Sequence, residues 1–551
     1  MYRLVFFILF CAGLTFHAQA QAVNAANYRV PGMSGAGVAQ GSIFILYGTF
    51  LGPGSLVQAG SLPLPTTLGD TSITVTVGDV TLNCYMIYSS ANQVAAVLPS
   101  NTPVGGGSVT LTYIDRTSNA IAIQVVAASF GTFSLNQAGY GPGVIQNYNS
   151  SGNPSTNTIN NSAQPGQTVV IWGTGLGPIT GSDATTPPVG NLSATVLVYI
   201  GGQAATILYQ GRSGYPGVDQ INVTVPTGVT GCYVPVEVNA AGIVANFTTM
   251  SISTNGGTCS DTVSLAAQDI NTAVKNGQSN IGLVAITDVT SIENTSGTTI
   301  IAGYQIDLGA AQFEHRTLSS LQTLRGVNYP IAALGTCTAV TFQLNPNYTD
   351  VLDPGDPAAV SYLNAGLAVE FQGPVDTETL GLQSSGFYSG AIGGGLAGSA
   401  TLPVFVMPGG YAVLGGRSGE PVGPFQTTLQ IPDEPTWTNE TTAGAVTRST
   451  PLQITWTGGD ATQEVAIVLG ESTDTTGLIR GVFTCTADLS TGTLTVPADV
   501  MSVLPPSGAS ALLEFGTLTR TDIGRFTTTP PGLDGAYFQI ERTTRIVATY
   551  Q

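Results

Sequence analysis

Histidine is the residue type that most limits the chemistry open to this chain. The 551 residues hold two, His17 and His315. His17 falls in an N-terminal apolar run that reads as a removable leader, which leaves His315 alone. A multi-histidine metal site cannot be built from one imidazole. A Ser-His-Asp triad needs only one, but also a nucleophile elbow or an equivalent context, and none is visible. His315 sits in the alternating stretch Phe313-Glu314-His315-Arg316 and reads as an ordinary strand histidine. Gly173-Thr174-Gly175-Leu176-Gly177 follows an apolar run, as a nucleotide-binding loop would. Pro178 comes next and no helical pattern follows, whereas a phosphate loop needs a helix N-terminus. The same turn recurs at residues 48–53, so it reads as architecture. Carboxylates stay open, because a glycosidase needs only two, roughly 5–10 Å apart. Asp350, Asp353 and Asp356 lie close together and would suit calcium. Their spacing is not that of an EF-hand loop, and Pro354-Gly355-Asp356-Pro357 is a turn signal. No catalytic, cofactor-binding or metal-ligating residue is assigned, and no cofactor is expected.

Charge narrows the partners. Arg3, the apolar run Leu4 to Phe16 and Ala18-Gln19-Ala20 form the three parts of an export signal, residues 1–20. The run is short for a membrane span, and no later segment is apolar enough, so no span is expected in the mature chain. Without Arg3, 13 basic residues face 32 acidic ones, a net charge of about −19. No basic patch can neutralise a run of phosphates, which argues against nucleic acid and against an anionic membrane surface. The expected location is secreted, extracellular or cell-surface.

The elements follow from a duplication. Residues 41–53 read GSIFILYGTFLGP and residues 166–178 read GQTVVIWGTGLGP, 125 positions apart. A short apolar run closed by Gly and Pro is a buried strand ending in a sharp turn. Further pairs match: Ser72 to Val77 with Ala194 to Ile200, Gln93 to Pro99 with Gln220 to Pro226, and Val109 to Tyr113 with Val234 to Val238. Short strands at regular spacing, separated by turn signals, predict an immunoglobulin-like sandwich. After Cys259, apolar residues from Val263 to Val274 recur at helical spacing up to Gly277 and predict one short helix. Strand patterns then resume, among them Tyr304 to Leu308, Val340 to Leu344, Leu367 to Phe371, Leu402 to Met407, Val465 to Leu469 and Leu494 to Val496. The fold class expected is all-β, with tandem immunoglobulin-like sandwiches at 21–135 and 136–258. A connecting region with the helix comes next at 259–330, then sandwiches at 331–432 and 433–551.

The paired strand-GTxLGP motifs, Phe130-Gly131-Thr132-Phe133-Ser134 with Asn147 and Asn153, and the ending around Cys232 and Cys259 resemble a known family. It is the Solibacter-type C-terminal domain, related to the IPT/TIG immunoglobulin-like fold and found in secreted proteins of soil acidobacteria. The match covers roughly residues 35–261. Segments such as Leu363-Asn364-Ala365-Gly366 and Trp456-Thr457-Gly458-Gly459 resemble a region often carried with it. The resemblance implies fold and export, and no activity.

Export makes disulfides possible for the five cysteines beyond Cys11. Cys232 and Cys259 are expected to pair and tie the last strands of the second sandwich to the start of the connecting region. Closing that loop stabilises by roughly 3–4 kcal/mol in the chain-entropy model. Cys337 and Cys485 either pair across domains or stay buried and free, and Cys84 reads as a small core residue. Trp172 and Trp456 read as core, and Trp437, near a domain junction, as a contact surface. Three functions fit: a structural or adhesive surface protein, a module binding extracellular polysaccharide, or a hydrolase using two carboxylates. The first is the expectation, with an extracellular protein or polysaccharide as partner and no enzymatic activity.

Overall fold

A computed structural model describes the chain at residues 21–291, 294–296, 299–301, 303–324, 332–343, 360–383, 386–396, 402–508 and 511–551. The fold is all-β, built from tandem immunoglobulin-like sandwiches followed by a larger sheet domain. In the first sandwich, a five-stranded sheet runs Gln21–Asn24, Ile43–Tyr47, Gln93–Val97, Tyr85–Ser89, Val57–Gln58. It faces a seven-stranded sheet centred on Gly105–Tyr113 and Thr71–Val77. Alternation along Thr71–Val77 turns Ile73, Val75 and Val77 inward and Thr74 and Thr76 outward, as the sequence pattern predicts. Phe44 and Leu46 meet them from the opposite sheet.

The second sandwich repeats this plan. Thr168–Thr174 pairs antiparallel with Asp219–Thr224, just as Ile43–Tyr47 pairs with Gln93–Val97. Its second sheet is built around Val196–Ile200 and Gly231–Ala240. The boundary between the units lies earlier than residue 135. Phe130 is buried in the second core, and the Gly131–Thr132 strand pairs with Thr174 and Gly173. Gly173 makes room for it: a Cβ there would sit 2.3 Å from Phe130 Cζ.

A helix lies where expected, Ala267–Asn276, closed by Gly277 in the left-handed region at φ 72°, and the connecting region holds a second, unexpected helix at Leu318–Thr323. Buried Asp269 in the first turn of Ala267–Asn276 pairs with Arg525 and Tyr537. Beyond it the expected domain boundaries at 330 and 432 do not hold. One nine-stranded sheet takes strands from all three expected segments, in the order Cys337–Gln343, Ile479–Asp488, Glu464–Thr473, Ala511–Thr519, Gly535–Val547, Gln278–Ser291, Tyr304–Thr317. Val360–Tyr362 and Tyr388–Leu396 share the last edge. Gln278–Ser291 runs parallel to Gly535–Val547 along eleven paired positions and antiparallel to Tyr304–Thr317 along fourteen. Main-chain pairing on that scale overrides the local strand and turn patterns that suggested two separate sandwiches. One face of this sheet is covered by a four-stranded sheet, through Val284, Phe313, Phe371 and Val413. A three-stranded sheet covers its far end through Trp456 and Phe515. Leu402 to Met407 forms no strand but a single bridge, Gly394 to Leu402.

These parts share cores. Phe247 of the second sandwich is buried with Trp437 and Phe515, Ala333 lies in the second sandwich's core, and Ile479 packs with the first sandwich. Among the described residues no helix is long and apolar enough to cross a membrane.

Candidate functional site: a groove on the open face of the nine-stranded sheet

The residues singled out in the sequence fall in different places. Cys232 and Cys259 are bonded, with Cα atoms 5.3 Å apart, and Cys232 N–H also donates to Asp261 Oδ2. Cys337 and Cys485 are bonded as cross-strand neighbours, and Cys84 is buried and free. Trp437 is not a contact surface. It is 7% exposed, packs 5.8 Å from Phe515, and donates Nε1–H to Asn439 Oδ1. Its strand pairs with Trp456, so both rings turn onto the same core. Trp172 is the half-exposed tryptophan instead. Val169, Ile171 and Gly173 face the core, so alternation sends Trp172 outward, where Nε1–H donates to Gln146 Oε1. His315 lies mid-strand with Nδ1 2.9 Å from Asn280 Oδ1. Asp350, Asp353 and Asp356 lie outside the described residues. Among the described residues no group of three His, Cys, Asp or Glu side chains could hold a metal ion.

The glycine-rich turn holds an anion, but an internal one. Gly175 and Leu176 N–H both donate to Asp219 Oδ2 at 2.7 Å. Asp219 Oδ1 pairs with Arg212 Nη1, and both side chains are fully buried. Arg212 Nη2 then donates to Gly41 O (2.6 Å) and Gly177 O (2.7 Å). One guanidinium thus clips the first copy of the repeated motif to the second. Thr174 adds a link, accepting from Ile43 N–H at 2.9 Å and donating to Gly217 O at 2.6 Å.

Two carboxyl pairs also form. Asp288 and Asp307 are cross-strand neighbours on the core face. Burial, then the contact with Asp307, holds the Asp288 carboxyl well above the usual carboxylate range. Asp307 Oδ2 meanwhile accepts from Phe405 N–H at 2.6 Å. Glu237 of the second sandwich and Asp499 pair likewise, and burial, then Asp499, raises Glu237 to about 9. Carboxyls in direct hydrogen-bond contact leave no room for the sugar bond and water that glycoside hydrolysis places between them.

The face of the nine-stranded sheet opposite its covering sheet carries a cavity of about 340 Å³. Its floor is made of same-face register neighbours: Leu283 beside Gln312, Ala285 beside Ala310 and Ser389, and Thr287 beside Leu308 and Ala391. Small side chains at the central rung lower the floor between larger ones. Gln383, Gln312 and Ser389 bring amides and a hydroxyl to the rim, and among the described residues no charged one lines it. Gln539, the neighbour of Ala285 on the other side, is buried with Nε2 unpartnered. The groove continues past Leu283 and Gln312 to Glu314, Arg316 and Tyr537. There Glu314 accepts from Arg316 Nε at 2.6 Å and from Gln312 Nε2, while burial raises its carboxyl to about 7. No sequence signal marks this site, because alanine, leucine and glutamine in alternating strands read as ordinary sheet.

No protein-family model and no curated protein matches the chain. Similar solved structures include the full extracellular region of a plexin, at 15% identity and TM-score 0.13, covering 38% of this chain and 16% of that one. A gamma-CGTase from alkalophilic Bacillus clarkii matches at 11% identity and TM-score 0.15, over 51% of this chain and 34% of the other. SGBP-B of the Bacteroides ovatus mixed-linkage glucan utilization locus, in complex with a mixed-linkage heptasaccharide, matches at 10% identity and TM-score 0.14, over 92% and 97%. Likenesses at this level define neither the architecture nor a ligand.

Proposed function

We propose that the chain is an exported, non-enzymatic adhesive protein that holds the groove of its nine-stranded sheet toward a neutral extracellular polysaccharide. The observation that carries this reading is the groove itself. It is an uncharged trough of about 340 Å³ with an aliphatic floor and amide and hydroxyl groups at its rim. Ligand sites are typically concave and mostly apolar, with a few placed polar groups. A sugar chain presents C–H faces and hydroxyls of matching kind. A chain carrying 18 negative charges in excess repels anionic polymers at long range. Two disulfides and the buried Arg212–Asp219 clip suit a body meant to stay rigid outside the cell. The resemblance of the N-terminal half to the Solibacter-type domain family agrees with export.

The test is a glycan array read in parallel with a reducing-end assay on the same neutral polysaccharides. Retention of a glycan without new reducing ends supports the reading. Release of reducing ends, abolished by substituting one Asp or Glu, replaces it with the hydrolase reading. Silence in both assays, with the protein retained on producing cells, leaves a purely structural role.

A further inference from the structure

A second cavity, of about 330 Å³, lies where all three parts of the molecule meet. Ser34 and Gly35 come from the first sandwich, Ile243 and Val244 from the second, and Arg448, Ser449 and Asp499 from the C-terminal domain. Its charge arrangement is unusual for this chain. Seven of the described arginines pair with carboxylates. Arg116, Lys275 and Arg417 are exposed to water. Among the described residues, the two remaining cations are Arg29 and Arg448, and both adjoin this cleft. Arg29 is 7% exposed and donates Nη1–H to Val244 O at 2.6 Å. A Cβ on Gly35 would sit 2.6 Å from that Nη1, so the guanidinium packs directly behind the Gly35 and Val244 wall of the cavity. Arg448 lines the cavity, donates Nη1–H to Leu504 O at 2.8 Å, and leaves its buried Nε unpartnered.

Arg29 is a buried guanidinium without a paired carboxylate, a costly arrangement, and Arg448 is partly buried with its Nε shut off from water. Burial lowers Arg29 to about 10 and moves Arg448 in the same direction, as expected of cations lacking a counter-charge. Asp499 lines the same cavity. No ion pair joins it to either arginine, and Glu237 donates to it from the second sandwich.

We infer that this three-way cleft is a carboxylate-binding site for a free hydroxylated acid of sugar size, a monomeric uronic acid being the type. The carboxylate meets the guanidinium side, where planar forks suit it. The ligand's hydroxyls face Asp499, Ser34 and Ser449. A cavity near 330 Å³ is within the usual range for a small ligand. The site is separate from the groove and does not depend on the groove's ligand.

The test titrates the full mature chain with glucuronate, and with glucose and acetate as controls, by calorimetry. Millimolar binding of glucuronate, at least ~10-fold weaker for glucose and for acetate, is expected. Arg448→Gln should weaken it by roughly 10- to 100-fold, the worth of a charge-assisted hydrogen-bond pair. Arg29 is buried deeply enough that its variants risk misfolding, so the second variant is Ser449→Trp, at an exposed position, which fills the mouth and should abolish binding. Glucose or acetate binding as tightly as glucuronate, no glucuronate binding, or binding unchanged in both variants each overturns the inference.

Discussion

Replacing Asp219 with alanine removes the one carboxylate that the glycine-rich turn encloses. The structure sets the size of the loss. Arg212 and Asp219 are both fully buried, so the variant leaves the guanidinium without its paired carboxylate, with Asp183 the remaining acid near it. Breaking a buried pair from one side costs about 3–5 kcal/mol. Gly175 and Leu176 also lose their acceptor, and each unsatisfied buried N–H costs roughly 1–3 kcal/mol. These groups share one partner, so the terms overlap. A net loss of about 4–6 kcal/mol results, comparable to the whole stability of a typical domain at roughly 5–15 kcal/mol. The double variant Asp219→Leu with Arg212→Met removes both charges and should lose clearly less than Asp219→Ala alone. The assay is urea unfolding followed by tryptophan fluorescence, with Trp172 in the strand that leads into the turn. A single variant that loses under about 1 kcal/mol would refute the argument that this turn is a structural clip.

The same structure sets other expectations. Cys232→Ser with Cys259→Ser, closing 27 residues, should cost roughly 3–4 kcal/mol, and Cys337→Ser with Cys485→Ser, closing 148, about 5 kcal/mol; denaturant midpoints under matched redox conditions check both. Trp437→Ala should cost about 3–5 kcal/mol, and Trp172→Ala, at a half-exposed site, clearly less; equal losses would contradict the difference in burial between the two rings. Glu237 and Asp288 bind a proton more tightly folded than unfolded, so their contribution is complete below pH 4 and is lost as pH rises toward about 9. Glu237→Gln should therefore flatten the fall in stability between pH 5 and about 9, read from urea midpoints across that range; an unchanged slope would show that the carboxyl is ionised in the folded protein.

How much of the fold and its sites was legible in the sequence depended on distance along the chain. The duplicated strand-and-turn motif, the inward face of Thr71–Val77 and the helix ending at Gly277 are written in local periodicity, and all three form as expected. The pairing of Gln278–Ser291 with Gly535–Val547 is not, because register and partner choice are settled by packing between segments some 250 residues apart. The roles of Trp437 and Trp172 exchanged for a similar reason. Nearness to a junction suggests exposure, whereas the face a strand turns to its core decides it. The groove needs small residues on neighbouring strands, and the cleft needs Gly35, Val244 and Arg448 brought to one place from far apart in the chain. Neither leaves a motif.

That the groove of the nine-stranded sheet receives a neutral glycan is tested most directly by calorimetry. A glycan retained on the array is titrated into the mature chain and into its Ala310→Trp variant. Ala310 lies mid-floor between Ala285 and Ser389, so a bulky ring there fills the trough without touching the core face. Saturable binding to the parent and none to the variant, with the unfolding midpoint unchanged, is the expected result. Equal affinity in both proteins would contradict it.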